Sequence, residues 1–577
     1  MQVIKESLKG IAASQGLAIA KAWVYPKTDY KVPQNNILNP EAELIRLRKA
    51  IDSADLEIAL LAKQTREQVG DGEAAIFEAH QLILKDPELM SSVEKSIQGK
   101  LMCAEWALLE ESNKYVEMIR AINDPYLNER AKDVLDVVDR VERSLLGIPL
   151  PNLSNFDSDC ILVADELMPS EMLRLDRRHV KGLVFAQGSA STHAVLIAQS
   201  MGLPCVVGLG KKISELSLGQ ELAIDGETGK IWIEPKGDDR ETLLIQITAE
   251  ENDRKDALNW VSKPSLSKDG KKLSLFANVV SGEEARIASE SGAEGIGLFR
   301  TEFLFVNRPE APSEEEQFEA YRLAVSAMDG KLTIIRTLDA GGDKVVPYLG
   351  LPKEENPFLG KRAIRICLED RGLFKTQLRA LLRAAKFGKL GLLLPMISSK
   401  DEVIAVKSIL AEVETELLSE GVDYGSDYQL GIMIEIPSAV IMADVLAKEV
   451  DFFSIGTNDL TQYTLAADRN NEAVQAYSDS KDPAVLRLIA MTVAAAKRQG
   501  IHVGVCGAIA GNKEYLPFFL GIGVDELSMV ASQIPRQRKR LAELDSEQSK
   551  KQSEELLQLV SKAEIRGYFE SAAGLLS

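Results

Sequence analysis

The sequence predicts a multidomain α/β protein in which a small α/β domain carries an inserted helical bundle and is linked by a helix to a C-terminal (β/α)8 barrel. Three observations predict this fold. The 577 residues are too many for one hydrophobic core. Residues 41–146 repeat apolar side chains at helical spacing. Beyond residue 263, short strand-like runs alternate with helical runs.

The α/β domain is predicted from residues 1–24 and 147–236. It contains short apolar runs typical of strands, at residues 161–164, 182–185, 205–208 and 230–233. Residues 1–24 hold another strand-like stretch, which we expect to join this unit across the insertion.

The insertion, residues 25–146, is predicted to be a helical bundle whose helix boundaries are marked by Asp86-Pro87 and Asp124-Pro125. Residues 237–262 are polar and helical in pattern, and Pro264 follows them. They are therefore predicted to form a linker helix that ends near a domain boundary.

Residues 263–577 are predicted to form the barrel. The strand candidates are residues 273–279, 295–299, 332–336, 392–396, 431–435, 451–455, 502–506 and 526–530. Eight β–α repeats over roughly 300 residues favour a closed barrel. A doubly wound open sheet remains the alternative.

Composition and charge exclude several classes of function. A net charge of −19 argues against nucleic-acid binding, because phosphates would be repelled. No apolar run approaches the roughly 18 residues that a membrane span needs, so no membrane insertion is expected. The five scattered cysteines lack metal-ligand spacing, which indicates reduced thiols and a cytoplasmic location.

Charged and polar side chains collect at the predicted carboxyl ends of the barrel strands, where barrel enzymes place their active sites. They are Arg300, Arg336, Glu435, Asn458, Asp459 and Cys506. Arginines bind phosphate and carboxylate groups, and two carboxylates from different strands suit Mg²⁺. The set predicts a site for a small, highly charged anion with Mg²⁺ as cofactor. Taken singly, Arg300 could be a paired arginine and Cys506 a small buried apolar residue.

His193, one of only four histidines, follows the small and hydroxyl residues of Gly188-Ser189-Ala190-Ser191-Thr192 and precedes an apolar helix. Such a permissive turn suits a histidine that accepts and hands on a chemical group. The alternative is a helix start with a Ser or Thr N-cap, where the histidine stands by chance.

Three stretches carry a resemblance to a known family: residues 297–305 (Gly-Leu-Phe-Arg-Thr-Glu-Phe-Leu-Phe), residues 356–365 (Asn-Pro-Phe-Leu-Gly-Lys-Arg-Ala-Ile-Arg) and residues 451–463 (Asp-Phe-Phe-Ser-Ile-Gly-Thr-Asn-Asp-Leu-Thr-Gln-Tyr). With Ile76-Phe-Glu-Ala-His and the domain order, they resemble enzyme I of the bacterial phosphoenolpyruvate-dependent sugar phosphotransferase system. The resemblance covers essentially the whole chain.

The resemblance implies a phosphoenolpyruvate-protein phosphotransferase with a phosphohistidine intermediate. His193 matches the phosphorylated histidine, and Cys506 matches the acid that protonates the enolate carbon. Glu435 and Asp459 match the Mg²⁺ ligands. Phosphoenolpyruvate would be held by Arg300, Arg336, Arg362, Asn458, Asp459 and Arg469.

The resemblance also implies two protein partners. An HPr-like phosphocarrier protein would receive the phosphoryl group while docked on the helical bundle, where His80, Asp86 and Glu88 match the family's contact region. A second copy of the chain would form a homodimer through the barrel.

Four positions depart from the family pattern. The loop before the histidine usually reads Gly-Gly-Arg-Thr-Ser-His, whereas Ala190 stands here in place of the arginine. Met168 replaces a threonine that supports the histidine, Gln199 replaces an arginine, and Ala508 replaces a glutamate after Cys-Gly. These changes leave two other functions open. One is a paralogous phosphotransferase that serves a non-sugar regulatory carrier, and the other is a regulatory phospho-binding protein that does not turn over.

Overall fold

The protein is described by a computed structural model that divides into two compact units, residues 1–252 and 253–577. It describes residues 7–25, 32–68, 71–121, 125–148, 153, 156–167, 169–172, 174–176, 178–188, 193–306, 308, 310–342, 344, 346–352, 354–471, 474 and 477–573. The division falls inside the helix predicted as the linker.

The first unit contains a mixed sheet of eight strands in the order β1-β8-β7-β3-β4-β5-β6-β2. β3 to β6 run parallel, and the remaining pairs are antiparallel. The centre of the sheet is apolar on both faces, as expected for buried parallel strands. The strands are β1 (Ser7–Lys9), β2 (Ile11–Ser14), β3 (Leu17–Val24), β4 (Cys160–Ala164), β5 (Val180–Phe185), β6 (Cys205–Val207), β7 (Glu221–Asp225) and β8 (Lys230–Ile233).

Five long helices fill the insertion between β3 and β4, and they share one apolar core. Asp86 caps the third of them, accepting hydrogen bonds from the main-chain N–H groups of Glu88 and Leu89. The helices of this unit are α1 (Pro40–Gln68), α2 (Asp71–Leu84), α3 (Pro87–Lys100), α4 (Ala104–Ala121), α5 (Pro125–Leu146), α6 (Pro169–Met172), α7 (His193–Met201) and α8 (Asp238–Ala257). α8 crosses into the second unit.

The second unit is a closed barrel of eight parallel strands, β9 to β16, in which each strand pairs with its sequence neighbours and β16 pairs with β9. Most of its apolar residues belong to a single core between strands and helices. The strands are β9 (Ser274–Val279), β10 (Ile296–Arg300), β11 (Thr333–Arg336), β12 (Leu390–Leu394), β13 (Tyr428–Ile434), β14 (Phe452–Ile455), β15 (His502–Val505) and β16 (Glu526–Met529).

The barrel helices begin and end at residues suited to caps. Ser313 and Ser399 form capping boxes with Glu316 and Glu402. The helices are α9 (Gly282–Glu290), α10 (Glu314–Ala327), α11 (Ile364–Glu369), α12 (Arg371–Ala384), α13 (Lys400–Glu420), α14 (Pro437–Ile441), α15 (Ala443–Leu446), α16 (Thr457–Leu465), α17 (Pro483–Gln499), α18 (Leu516–Ile522), α19 (Ile534–Leu541), α20 (Ser546–Gln558) and α21 (Lys562–Ala573). Among the described residues, no helix has the length and apolarity to cross a membrane.

The fold class predicted from the sequence is confirmed, including the closed barrel. Individual strands differ in their limits. β12 is Leu390–Leu394, two residues earlier than predicted, and β13 already begins at Tyr428. β7 was not predicted, because its sequence Glu-Leu-Ala-Ile-Asp has charged residues at both ends and only three apolar ones between them.

A fully buried arginine holds the end of the linker helix against the barrel. Arg538 of α19 donates hydrogen bonds to the main-chain carbonyls of Trp260 (3.0 Å), Val261 (2.7 Å) and Gly292, and to the Ser265 hydroxyl (3.0 Å). These carbonyls follow α8 or lie in a turn, so they have no helical partner. Burial lowers the pKa of Arg538, since no carboxylate is bonded to it.

The next two residues of α19 continue the contact. Lys539 pairs with Asp253 (3.0 Å) and Asp256 (2.8 Å) of α8, and Arg540 also reaches Asp253 (3.3 Å). We call Arg538, Lys539 and Arg540 the basic clamp. It attaches the last turns of α8 to the barrel unit.

Replacing Arg538 by methionine is expected to lower the free energy of unfolding of the barrel unit by about 3 kcal/mol, because several acceptors lose a buried hydrogen-bond donor. Urea denaturation followed by circular dichroism would measure it. The control is Arg536→Met on the same helix, where the arginine has no partner among the described residues. Equal stabilities for the two variants would contradict the role assigned to the clamp.

Candidate active site

The predicted site residues meet at the carboxyl-terminal mouth of the barrel because the strand ends are in register. Arg300 and Arg336 are direct partners at the ends of β10 and β11. The ends of β13, β14 and β15 also lie side by side. The residues that immediately follow those three strands are Glu435, Gly456 and Cys506.

Arg336 is almost completely buried and lies among carboxylates. It pairs with Glu302 and, at 3.1 Å, with Asp339. Lys344 donates to the same two carboxylates, at 2.7 and 2.9 Å. Burial alone would raise the pKa of Asp339, but the charges of Lys344, Arg336 and Arg362 outweigh it and hold the pKa well below its usual range. The cluster is therefore charged and held in place before any ligand binds.

Arg362 connects this cluster to the end of β14. Its guanidinium donates to Asp339 (2.9 Å), to Asp459 (3.1 Å) and to the Tyr463 hydroxyl (3.1 Å), and only 1% of the residue is exposed. Arg469 reaches the other oxygen of Asp459 at 3.3 Å. Two arginines thus approach one carboxylate at the mouth of the barrel.

Arg300 differs from these arginines. It is half-buried, yet its guanidinium makes no hydrogen bond or ion pair with any described residue. A guanidinium that is partly withdrawn from water and pairs with no described residue favours an anionic ligand. Arg300 is the best placed residue to receive a phosphate or carboxylate group.

Glu435 is buried (1% exposed), and its Oε1 accepts a hydrogen bond from the main-chain N–H of Met396 at 2.6 Å. Burial raises the pKa of Glu435 to about 8, and the charges of Asp459 and Asp339 add to the effect. Arg362 and Arg336 offset only part of it. Among the described residues, no cation pairs directly with Glu435, so this carboxyl can accept a metal ion.

The donor set fits Mg²⁺. Glu435 and Asp459, at neighbouring strand ends, could supply oxygen ligands, and Mg²⁺ commonly uses one or two carboxylates together with substrate oxygens. Within the part of the chain that the structure describes, no cluster of three or more His, Cys, Asp or Glu side chains could hold a metal. A site with two protein carboxylates agrees with both findings.

Cys506 follows β15 at the same barrel mouth, and its Sγ lies 3.7 Å from the carbonyl oxygen of Ile455. Burial raises the pKa of the Cys506 thiol to about 11, so it carries its proton at neutral pH. Asn458 is exposed, and its side-chain oxygen accepts a hydrogen bond from the N–H of Ala508 at 3.0 Å. The departure at Ala508 therefore removes a side chain but leaves this main-chain bond in place.

His193 is the first residue of α7 in the other unit. Its side chain and residues 189–192 lie outside the described residues, as does Met168, so the predicted effects of Ala190 and Met168 are not tested. Gln199 is described. Its amide donates to the carbonyl of Ala13 at 2.7 Å, which ties α7 to β2.

The residues predicted to contact a carrier occupy different environments. His80 is fully buried between α2 and α5, with its ring nitrogens 3.4 Å from Asp133 and 3.9 Å from Asp136. Asp86 is the half-buried cap of α3, and Glu88 is exposed in its first turn. Of these three residues, only Glu88 and part of Asp86 are exposed to a partner. The carrier contact stays a prediction.

Several residues that shape the site were not predicted as site residues. The strand-end sequences contained Glu302, Asp339 and Lys344, but nothing in them showed that these side chains would surround Arg336. Tyr463 stands in the motif after β14, one turn beyond Asp459. Asn278 precedes the end of β9 and bonds to Cys506. Its position near a strand end was the only available signal.

Three family models of PEP-utilising enzymes match this chain. The N-terminal domain model covers residues 9–130, the mobile domain model covers residues 156–229, and the PEP-binding domain model covers residues 254–546. The last of these covers all eight barrel strands and the barrel-mouth residues described above, and it ends at residue 546.

Curated relatives match almost the entire chain. A phosphoenolpyruvate-protein phosphotransferase of Bacillus subtilis (strain 168) is 41% identical over 560 residues, which cover 97% of this chain and 98% of the relative. That of Geobacillus stearothermophilus is 41% identical over 575 residues, covering 99% of both chains. That of Staphylococcus carnosus (strain TM300) is 40% identical over 563 residues, covering 97% and 98%.

Proposed function

Since the chain belongs to the family of phosphoenolpyruvate-protein phosphotransferases, we propose that it transfers the phosphoryl group of phosphoenolpyruvate to its own His193 and then to a histidine of an HPr-like carrier, as the first step of sugar uptake. The observation that carries the proposal is the barrel mouth. Arg300, which has no partner among the described residues, lies there beside Arg336, and the carboxyls of Glu435 and Asp459 belong to the same mouth.

The mouth suits a trianionic substrate. Arg300 and Arg336 would bind the phosphoryl oxygens, and Arg469 and Asn458 would orient the rest of the molecule. The carboxylates around Arg336 and Arg362 fix these guanidinium groups, so little reorganisation is needed when charge develops in the transition state.

In the chemical step, the imidazole of His193 attacks the phosphorus, an N–P bond forms, and the bond from phosphorus to the enol oxygen breaks. The arginines stabilise the charge on the transferred group. The enolate takes a proton at C3 from the Cys506 thiol and leaves as pyruvate, and solvent returns a proton to the thiolate.

Mg²⁺ is the proposed cofactor, with Glu435 and Asp459 as its protein ligands. When bound, it supplies positive charge to the phosphoryl and enolate oxygens. Burial is the main cause of the raised pKa of Glu435, and the charges of Asp459 and Asp339 add to it.

The partner proteins are also proposals. The carrier would dock on the helical insertion, with Glu88 and Asp86 as acidic contacts for a basic face. A homodimer would form through the barrel. Exposed apolar side chains in the barrel unit, among them Phe303, Leu359 and Ile441, support such a contact.

The proposal is tested by incubating the full chain with ³²P-labelled phosphoenolpyruvate and Mg²⁺. We expect one acid-labile phosphate per chain and an equal amount of pyruvate, with both lost when the metal is chelated. Release of inorganic phosphate without labelled protein would overturn the phosphotransferase assignment for this chain.

Cys506→Ala is expected to slow pyruvate formation, by roughly 100-fold at saturating substrate, with little change in the half-saturating concentration of phosphoenolpyruvate. A neutral thiol contributes little to holding a trianion, but protonation of the enolate depends on it. Stopped-flow measurement of pyruvate would show the effect.

Cys205→Ala is the matched control for this variant. Cys205 is fully buried in β6, where it packs and has no role in the chemistry. Its replacement is expected to cost roughly 1 kcal/mol of stability and to leave turnover unchanged. Wild-type turnover by Cys506→Ala would show that the proton comes from another group.

A further inference from the structure

The side chain of Asn278, at the mouth of the barrel, bonds to the strand end that carries Cys506. Asn278, on β9, donates through Nδ2 to the carbonyl oxygen of Cys506 at 3.3 Å and to that of Ser528 at 3.2 Å. Its Oδ1 accepts a hydrogen bond from the Ser528 hydroxyl at 2.7 Å. All polar atoms of the Asn278 amide are therefore used, and their orientation is unambiguous because carbonyl oxygens only accept.

The bond to Cys506 replaces a missing strand contact. The pairing of β15 with β16 ends at Val505 and Leu527, so the carbonyl of Cys506 lies beyond the ladder. On its other side, the N–H of Cys506 bonds to Ile455 of β14 at 3.1 Å. Asn278 thus provides the second attachment of this peptide, reaching it from two strands away in the barrel.

The position of the sulfur follows from that of the main chain. A cysteine side chain has one rotatable bond between Cα and Sγ, and here it packs among apolar residues inside the barrel. A displaced main chain would therefore displace the thiol. A proton donor must lie within hydrogen-bond reach of its acceptor, and an error of about 1 Å can cost up to about 100-fold in rate.

We propose that Asn278, supported by Ser528, is a positioning residue that fixes Cys506 so that the proton reaches one chosen face of the enolate. The proposal rests on the function of Cys506 as proton donor proposed above. It assigns Asn278 no contact with substrate, so its replacement affects proton delivery and leaves the binding of phosphoenolpyruvate nearly unchanged.

The test uses the full chain in single turnovers, in D₂O, with phosphoenolpyruvate that carries hydrogen and tritium in a defined arrangement on C3. Delivery of a deuteron to one face makes pyruvate with a methyl group of one handedness, which can be measured. For Asn278→Asp, which keeps the shape but removes both donors, we expect both hands in comparable amounts. Pyruvate formation should fall roughly 10- to 100-fold, and the half-saturating concentration should stay within about twofold.

The control is Asn512→Asp, the same substitution in the loop after β15, where the side chain of Asn512 accepts a hydrogen bond from the N–H of Glu514 and makes no other hydrogen bond with a described residue. It should retain one-handed pyruvate and the normal rate. Ser528→Ala, which removes only the support of Asn278, should give partial loss of handedness, and it decides the question if Asn278→Asp does not fold.

The outcomes separate this inference from the proposed function. One-handed pyruvate from Asn278→Asp, or from Ser528→Ala if the first variant is unfolded, overturns the positioning role. One-handed pyruvate from Cys506→Ala overturns the donor role of Cys506 instead. Mixed handedness in both Cys506→Ala and Asn278→Asp, with the control unchanged, supports both.

Discussion

His193→Ala is expected to abolish labelling of the chain by ³²P-phosphoenolpyruvate, with a loss on the order of 10⁴-fold or more, because no other group can replace the attacking nitrogen. The fold should remain intact. His193 is the first residue of α7, and the apolar residues that pack this helix, among them Val195 and Ala198, lie further along it. Mass spectrometry of intact protein would measure the phosphate, and thermal unfolding would check the fold.

His179→Ala is the matched control. His179 belongs to the same unit and pairs with Asp159 at 3.1 Å near the surface. It should accept label at the wild-type level. Full labelling of His193→Ala would move the phosphoryl acceptor to another residue and would leave the barrel site without its proposed partner.

Glu435→Gln is expected to have two opposite effects. It should reduce Mg²⁺-dependent labelling by at least about 100-fold, because a charged ligand is lost. With a metal chelator present, it should also raise the melting temperature by about 2–4 °C above that of the wild type at pH 8–9. The glutamine can still accept the hydrogen bond from Met396, while the buried charge facing Asp459 and Asp339 is gone.

The pH dependence of this stabilisation has a defined sign. The pKa of Glu435 is higher in the folded chain, at about 8, than its ordinary value of 4.5. The unfolded chain therefore releases this proton first, and the wild type loses stability as the pH rises from about 4.5 to about 8. The advantage of Glu435→Gln should be small at pH 5 and complete above pH 8.

Glu302→Gln is the control for the stability effect. Glu302 is a buried carboxylate at the same barrel mouth, but it pairs with Arg336 and Lys344. Burial opposes its ionisation, yet these cations outweigh burial and lower its pKa. Its neutralisation should therefore lower the melting temperature. A lower melting temperature for Glu435→Gln as well would contradict the unfavourable burial of the Glu435 charge.

The sequence predicted the parts of the site that depend on strand ends. Arg300, Arg336, Glu435, Asp459 and Cys506 each follow or end an apolar run, and parallel strands bring such ends together. Arg362 was found only through the family resemblance, because it stands in a loop without strand pattern. Its contacts with Asp339 and Asp459 depend on the folding of that loop over the mouth.

Other features needed the tertiary structure. Asn278 bonds to Cys506, 228 residues away, and no local pattern contains that relation. His80 was predicted from a sequence motif as a contact residue, but a motif does not show which side of a helix is covered. The packing of α2 against α5 buries its ring completely.

The basic clamp restricts where the chain can bend. Each α-helical residue adds about 1.5 Å along the helix axis. Residues 253–257 and the turn after them therefore form a segment of roughly 10 Å that the basic clamp fixes to the barrel unit. Any reorientation of the His193 domain must therefore pivot before Asp253. A twisting force on the connecting helix would act on the three side chains of the basic clamp. Substitutions that weaken the clamp would therefore make this connection more flexible without changing His193 or the barrel site.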